Sequence, residues 1–294
     1  MGAIGYYIAY GAIRLVTLLP MIVIYILSIP LYFVLYYCPG YRREVARTNL
    51  LNSFPEKSIE EIIKIEKRFY RHLADLFLET LKGGYMSEKE FRKRFHVVNP
   101  ELPESIMASG RDIIAVTAHY NNWEWLMATP LYFTGRLLTI YKPLSDKRFN
   151  RLILKVRSRF GIILTPMSHI VREIISSRKE GVNTMSVFIA DQSPRKSEIH
   201  YRTTFMGQDT PVYLGSEKIA LKYNMAVIFL MVRKVRRGHY ELTFKELFRD
   251  TTGMAEHAIT EAHIKQLEEI IREKPEYWIW THRRWKHKRV ETGG

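Results

Sequence analysis

The sequence predicts an α/β protein in which helices flank a mixed central sheet, preceded by a transmembrane or interfacial helix at the N-terminus. Three observations support this prediction. Residues 15–38 form an uncharged apolar run, residues 41–82 carry apolar side chains at a helical period, and short apolar runs alternate with helical segments after residue 112. Such alternation is typical of a sheet whose strands are joined by crossover helices.

The uncharged run reads LVTLLPMIVIYILSIPLYFVLYYC, and Arg14 is the one charged residue among the first 38. About 20 apolar helical residues cross the hydrocarbon core of a bilayer, so the run is long enough to span it. Pro20 and Pro30 interrupt it, which also allows a kinked helix lying partly in the interface. We expect residues 1–40 to be a membrane anchor; a buried core helix is the alternative.

Basic residues directly after this run indicate its orientation. Arg42, Arg43 and Arg47 follow the apolar segment, and basic residues next to a span tend to stay cytoplasmic. We therefore expect residues 41–294 to form one domain on the cytoplasmic face of the membrane. No linker divides this range.

A helical lead-in is predicted at residues 41–84, before the α/β body at 85–294. A short helix precedes Ser53-Phe54-Pro55, and a second amphipathic helix follows until Gly83-Gly84. In the body, strands are predicted at 113–118, 137–141, 162–164, 185–190, 226–232 and 240–244, the last two as a hairpin around Arg236-Arg237-Gly238. Helices are predicted at 122–133, 146–160, 168–179, 212–223 and 255–273.

Composition narrows the classes of partner. The formal net charge is +15 with a sequence pI of about 9.7, which favours an acidic protein, an anionic lipid or a nucleic acid. The apolar N-terminal run favours lipid over nucleic acid, and we expect no nucleic-acid partner. Cys38 is the single cysteine, which excludes an intrachain disulfide and a cysteine-rich metal site.

Polar residues follow two of the predicted strands. His119 ends the run at 113–118, and Asp191-Gln192 follows the run at 185–190. Ligands of open α/β sheets bind beyond the carboxyl ends of strands, so these two polar clusters predict a site. We expect no metal, because no second histidine lies within eight residues of His119.

The stretch HYNNWEW at 119–125 has two interpretations. In one, a sharp turn folds Glu124 back onto His119, and the carboxylate orients an imidazole that accepts a proton from a hydroxyl. In the other, Asn122 caps a helix, Glu124 is a first-turn carboxylate, and His119 is an incidental polar residue. Spacing alone leaves both open.

The run VTAHYNNWEW resembles the H-x4-D/E signature of glycerolipid and lipid A acyltransferases. Four further stretches follow the order of the bacterial lipid A biosynthesis acyltransferases, the late lauroyl/myristoyl transferase family, and the resemblance covers nearly the whole chain. They are RREVARTNLLNSFPEKS (42–58), YKPLSDKRFNRLILKVRSRFG (141–161), IADQSPRKS (189–197) followed by FMGQDTPVYLGSEKIA (205–220), and PEYWIWTHRRWK (275–286). The resemblance implies a glycerolipid acyltransferase-like fold.

The resemblance also implies roles for individual residues. His119 is expected to be the general base and Glu124 its orienting partner. Of the pair Arg157 and Arg159, the family arginine is expected to be Arg159, although a solvated helix face is the alternative for both. The other expected substrate-binding residues are Asp191, Gln192, Asn122 and Arg284. Asp191 and Gln192 shape the pocket, Arg284 contacts a headgroup or carrier together with Arg283 and Lys286, and Thr210, Pro211 and Gly215 close over the site.

The function implied is an O-acyltransferase of the bacterial inner membrane, acting on its cytoplasmic face without a cofactor. It moves a fatty acyl chain from acyl carrier protein, or from acyl-CoA, directly onto a hydroxyl of an anionic lipid A precursor. An aminolipid or a lysophospholipid is the alternative acceptor. A non-catalytic basic membrane adaptor is the alternative from another class of protein.

Overall fold

A computed structural model describes residues 3–38, 40–141, 143 and 146–289. Residues 1, 2, 39, 142, 144, 145 and 290–294 lie outside the described residues. They fall within the expected ranges 1–40 and 41–294, and three of them, 142, 144 and 145, fall within the motif at 141–161. Within the described ranges the chain is a mixed α/β fold, as the sequence predicts.

The apolar N-terminal run folds as two helices rather than one. Helix α1 (Ala3–Leu18) and helix α2 (Met21–Tyr37) are separated at Leu19-Pro20, because Pro20 has no N–H to continue the helical ladder. In the part of the chain that the structure describes, no helix is both long and apolar enough to cross a bilayer. The expected transmembrane span is therefore not found there.

The N-terminal helices pack on the helical lead-in. Helix α3 (Arg43–Ser53) and helix α4 (Ile59–Gly83) occupy the two predicted positions. Ser58 starts α4 in a reciprocal capping box with Glu61. Polar contacts then hold α1 and α2 against α4: Ser28 donates to Asp75 at 2.7 Å and Lys82 donates to the Thr17 carbonyl at 2.7 Å.

Seven strands among the described residues form the main sheet, in the order β1-β9-β8-β2-β5-β3-β4. Neighbouring strands are parallel except for the antiparallel pair β8–β9. The predicted mixed sheet and the hairpin are confirmed. The strands are β1 (Phe95–Val97), β2 (Ile113–Thr117), β3 (Arg136–Tyr141), β4 (Ile163–Pro166), β5 (Thr184–Ile189), β8 (Ala226–Arg236) and β9 (His239–Phe248).

The central strand β2 is buried on both faces. Ile113 and Ala115 contribute to one apolar cluster and Ile114 and Val116 to another, because successive side chains of a strand point to opposite faces. Helices α6 (Glu101–Ala108) and α9 (Gly215–Tyr223) contact β2. The other α-helices described in this part of the chain are α5 (Glu88–Arg94), α7 (Lys147–Arg157), α8 (Ile170–Lys179) and α10 (Ala258–Glu273). Helix α5, strand β1 and helix α6 were not predicted.

Two local features differ from the prediction. The helix expected at 122–133 is a 3₁₀ helix, Trp123–Leu131, which contains Pro130. A separate hairpin of β6 (Tyr201–Phe205) and β7 (Gln208–Val212) was not predicted. Its turn places Met206 at φ 52° and Gly207 at φ 70°, the left-handed pair that a two-residue hairpin turn requires.

Candidate active site

His119 lies just beyond the carboxyl end of β2, where the chain turns sharply. Asn121 adopts a left-handed conformation at φ 52°, which asparagine tolerates better than most residues. Its side-chain amide donates to the Val232 carbonyl at 2.9 Å, and its backbone N–H donates to the Tyr277 carbonyl at 2.9 Å. A sharp turn is therefore present after His119, and Asn121 fixes it by hydrogen bonds to two other segments of the chain.

The carboxylate that holds His119 is Asp191. Strand β5 pairs directly with β2, so the residues that follow these two strands meet at one edge of the sheet. The Asp191 carboxylate lies 2.7 Å from Nδ1 of His119 and accepts the His119 backbone N–H at 3.0 Å. The structure thus brings together the two polar strand ends that the sequence singled out.

The indole of Trp278 is a third hydrogen-bond donor to the Asp191 carboxylate. Nε1 of Trp278 donates to the same carboxylate at 2.9 Å. Burial raises the pKa of Asp191. The charge and hydrogen bonds of His119 and the hydrogen bond from the Trp278 N–H together have a larger effect in the opposite direction, so the pKa of Asp191 is below its usual range. Asp191 is therefore a buried anion at neutral pH.

The charge of Asp191 changes the titration of His119. Burial alone lowers the pKa of His119, but the charge and hydrogen bond of Asp191, with a further contribution from Glu124, raise it above its usual value. A carboxylate on Nδ1 fixes the tautomer, so Nδ1 donates and Nε2 keeps its lone pair. The Gln192 side-chain nitrogen lies 3.2 Å from Nε2 and donates to it.

Glu124 does not take the place expected for it beside the imidazole. Its two oxygens accept from Nε and Nη2 of Arg157 at 3.0 and 2.5 Å. The predicted fold-back of Glu124 onto His119 is replaced by this bidentate ion pair, and Asp191 occupies Nδ1 instead. Glu124 acts on His119 through its charge across the site.

The two arginines of the R-x-R pair point to different places. Arg157 lines the cavity beside His119, whereas Arg159 donates to the Gly83 carbonyl at 3.2 Å and stacks on Phe160. Helix α7 ends at Arg157, so the chain turns between the two residues. Arg157 is therefore the member of the pair that lines the cavity, and the expected Arg159 is not among the lining residues.

Asn122 belongs to a buried network below the site. Its amide donates to Glu79 at 2.9 Å, and the same carboxylate accepts the hydroxyl groups of Tyr25 and Tyr240. Burial raises the pKa of Glu79. Asn122 makes no side-chain cap on the 3₁₀ helix and is fully buried, which places it behind the site rather than on its surface.

A cavity of about 860 Å³ opens beside Nε2 of His119. This volume lies within the range of small-molecule sites in proteins. Its polar lining residues include His119, Gln192, Glu124 and Arg157, and the wall is otherwise largely apolar, with Leu126, Met127, Leu137, Ile162, Leu164 and Val187. The cavity thus combines an imidazole and an ion pair with a largely apolar wall.

Arg284 lies in the interior and not on a headgroup-binding surface. It is 2% exposed and donates through Nη1 to the Pro211 carbonyl at 2.8 Å. Burial lowers its pKa to about 10. A second hydrogen bond joins the C-terminal residues to β7: Nε1 of Trp285 donates to the Thr210 hydroxyl at 2.8 Å. Gly215 lines the cavity.

Trp278 is the site residue that sequence reasoning missed. It lies in PEYWIWTHRRWK, a stretch that carries the family resemblance, in which the expected headgroup or carrier contact concerns Arg283, Arg284 and Lys286. Its separation of 87 positions from Asp191 carries no spacing signal. Within the described residues, no group of three His, Cys, Asp or Glu side chains is arranged to hold a metal ion.

Comparison with known proteins gives a family match over nearly the whole chain. Residues 2–287 match the model of the family described as bacterial lipid A biosynthesis acyltransferase. A lipid A biosynthesis palmitoleoyltransferase of Escherichia coli K12 is 22% identical over 250 residues, covering 85% of this chain and 80% of its own. A lipid A biosynthesis acyltransferase of Shigella flexneri matches to the same extent.

Proposed function

The chain belongs to the bacterial lipid A biosynthesis acyltransferase family and is therefore an acyltransferase, and we propose that it moves a fatty acyl chain from a thioester onto a hydroxyl of a lipid A precursor. One observation carries the proposal. The Asp191–His119 pair holds an imidazole by Nδ1 at the wall of a largely apolar cavity, and its Nε2 has the Gln192 amide as its partner.

His119 acts as the base in this proposal. The acceptor hydroxyl takes the place of the Gln192 amide on Nε2, and Nε2 accepts the hydroxyl proton as the hydroxyl oxygen attacks the thioester carbonyl carbon. The C–S bond then breaks, and the departing thiolate takes the proton back from the imidazolium. Asp191 stabilises that imidazolium and holds the tautomer, which is the work of a carboxylate in a base–carboxylate pair. The products are an ester and a free thiol.

Glu124 and Arg157 form the second functional pair. Glu124 holds the guanidinium through two hydrogen bonds, which fixes its plane as a bidentate pair does. The guanidinium lines the cavity next to His119, where a cation stabilises the developing oxyanion or a substrate phosphate. The Gln192 amide, 3.2 Å from Nε2, supplies a further donor at the reacting centre.

The apolar chamber receives the acyl chain. Its walls come from the 3₁₀ helix and from strands β3, β4 and β5, with side chains such as Met127, Leu137 and Leu164. Burying each CH₂ of a chain is worth about 0.8 kcal/mol. Such a chamber therefore binds a long acyl chain far better than a short one.

The outer surface of α1 and α2 supports association with a membrane interface. Its apolar side chains are each more than half exposed: Leu15, Leu18, Ile22, Ile26, Ile29, Phe33, Val34 and Tyr37. A surface of this kind marks a contact with lipid or protein. We place it in the cytoplasmic leaflet of the bacterial inner membrane, where the +15 charge of the chain is attracted to anionic headgroups.

The donor in this proposal is acyl carrier protein or acyl-CoA, both of which are acidic thioester carriers. Purified protein is to be given each donor with the same fatty acyl group, together with a phosphorylated lipid A precursor. We expect the precursor mass to increase by one acyl chain, and we expect the faster donor to identify the carrier.

The acceptor is to be identified by mass spectrometry of lipid extracts from a strain that lacks the gene. Loss of one acyl chain from lipid A supports the proposal. Loss of an acylated aminolipid or of a diacyl phospholipid instead assigns one of the alternative acceptors and contradicts the lipid A assignment.

A further inference from the structure

The C-terminal segment, residues 277–284, contacts both polar strand ends of the site. Its Tyr277 carbonyl accepts the Asn121 N–H at 2.9 Å, and its Trp278 indole donates to Asp191 at 2.9 Å. Nε2 of His282 accepts the Ser193 N–H at 3.1 Å. The segment therefore fixes the residues that follow His119 and those around Asp191 at the same time.

We propose that Trp278 is a positioning residue for the base, acting on His119 through Asp191; the proposal rests on the proposed function. Asp191 uses one oxygen for Nδ1 of His119, and the other accepts both the His119 N–H and the Trp278 indole. The indole therefore prevents rotation of the carboxylate about its last bond, which would break the contact to Nδ1.

The surroundings hold Trp278 rigidly in this position. The ring is 1% exposed and packs edge-on against Trp280, Phe205 and Trp285 at centroid distances of 4.7, 5.7 and 5.9 Å. Asn49 of α3 fixes the same segment by donating to the carbonyls of Trp280 and His282, both at 2.9 Å. A rigid second layer of this kind sets the orientation of catalytic groups.

The C-terminal segment also supplies an uncharged hydrogen-bond acceptor, the His282 imidazole, close to the His119–Asp191 pair. Burial lowers the pKa of His282 to about 4, so its Nε2 keeps a lone pair for the Ser193 N–H at neutral pH. The loop after Asp191 is therefore held by an uncharged ring, which adds no positive charge next to His119.

The chain offers a matched control in Trp280. This indole is also fully buried, and its Nε1 donates to the Pro275 carbonyl at 2.6 Å instead of to a site carboxylate. Trp278→Phe and Trp280→Phe each remove one indole N–H from the same aromatic cluster. Only the first removes a donor from Asp191.

The kinetic test is a double-mutant cycle on acyl transfer. Because misplacing a catalytic group costs about 10²-fold, we expect Trp278→Phe to lower kcat by roughly 10- to 100-fold with KM unchanged. In an Asp191→Asn background, Trp278→Phe should cost less than about 2-fold, since Asp191 is the route of its effect. Multiplicative losses, or equal losses in Trp280→Phe, overturn the proposal.

A spectroscopic test needs no turnover, so its outcome is independent of the proposed function. Asp191→Asn is expected to shift the indole N–H resonance of Trp278 in a proton–nitrogen spectrum and to leave that of Trp280 unchanged. Trp278→Phe is expected to shift the downfield Nδ1–H resonance of His119. If the Trp278 resonance does not move in Asp191→Asn, the proposal is wrong, even if acyl transfer is confirmed.

Discussion

At the scale of single residues, the decisive contact is the one between His119 and Asp191. The sequence predicts both residues as polar strand ends. Its spacing leaves the role of Glu124 open, and it is the family resemblance that implies Glu124 as the carboxylate partner of the imidazole. The partner is set by strand order: β5 lies next to β2, which puts Asp191 beside Nδ1, whereas Glu124 faces Arg157. Nearness along the chain is a poor guide to nearness at a sheet edge.

The first prediction concerns Asp191. The pKa of His119 is raised because the charge and hydrogen bond of Asp191 outweigh the effect of burial. In the proposed mechanism His119 must be neutral to accept a proton, so we expect activity to increase as the pH rises through this raised pKa. Asp191→Asn removes the charge, and we expect the acid limb of the kcat/KM profile to move to lower pH. The plateau value of kcat/KM should fall by a factor on the order of 10³, because asparagine does not hold the His119 imidazole in the tautomer with the proton on Nδ1.

The control for this prediction is Asp209→Asn. Asp209 is a partly exposed carboxylate on β7, paired with Arg202, and its substitution should leave the acid limb in place. An unchanged acid limb in Asp191→Asn would contradict the assignment of Asp191 as the partner of the base.

A second prediction concerns the pair Glu124–Arg157. Glu124→Gln and Arg157→Gln should each lower kcat/KM, and the double variant should be little worse than the more damaged single variant, because both changes break the same pair. The coupling energy expected for contacting residues is about 0.5–3 kcal/mol. Arg159→Gln serves as the comparison, and a larger loss in Arg159→Gln than in Arg157→Gln would restore the original assignment.

At the scale of elements, the apolar runs and the helical periodicity predict most of what the structure shows. Strands β2, β3, β4, β5, β8 and β9 lie within a few residues of their predicted positions because each contains the short apolar run on which its prediction rests. Strand β1 and the hairpin β6–β7 escaped prediction. They are short and carry polar residues such as His96, Arg202 and Asp209, which hide the strand period.

Helix α10 provides a third prediction, about acid stability. His263 is buried, donates through Nδ1 to the Ile259 carbonyl at 3.2 Å, and has a pKa lowered by burial to about 4. Below pH 6.5 the imidazole of His263 becomes protonated in the unfolded chain but stays neutral in the folded protein. The free energy of unfolding therefore decreases as the pH is lowered from about 6.5 to about 4. The loss due to His263 is roughly 3 kcal/mol at 1.36 kcal/mol per pKa unit.

The test is urea unfolding of His263→Asn at pH 7 and pH 4.5. Asparagine keeps a donor for the Ile259 carbonyl but does not titrate, so the variant should lose less stability than the wild type between these two values. His200→Asn, at an exposed position, should behave as the wild type does. Equal pH dependence in His263→Asn and the wild type would contradict the attribution.

At the scale of the whole molecule, the N-terminal helices are part of the fold rather than an appendage. Met21 and Ile24 of α2 enter the same apolar cluster as strand β2, and Arg237 of the β8–β9 hairpin binds Ser28 at 2.7 Å. The sequence could not reveal this packing, because a run that is apolar all round looks the same whether it faces lipid or protein. The polar contacts come both from α4, as with Asp75 and Lys82, and from Arg237, which lies 209 positions from Ser28.

A fourth prediction follows for membrane association. Ile22→Glu and Phe33→Glu replace exposed side chains of α2 (70% and 52% exposed), and we expect each to reduce binding to anionic vesicles severalfold, because buried apolar area is lost at about 25 cal/mol per Å². Ile175→Glu, on the exposed surface of α8, is the matched control and should bind as the wild type does. Unchanged binding in all three variants would exclude α2 as the contact.

The most direct test of the central claim is a single-turnover acyl transfer assay with wild type and His119→Ala, read by mass spectrometry of the acceptor lipid. The wild type is expected to add one acyl chain to the lipid A precursor and release one thiol. His119→Ala is expected to lose this transfer while keeping its fold and its vesicle binding. Transfer by His119→Ala at the wild-type rate would contradict the assignment of His119 as the base.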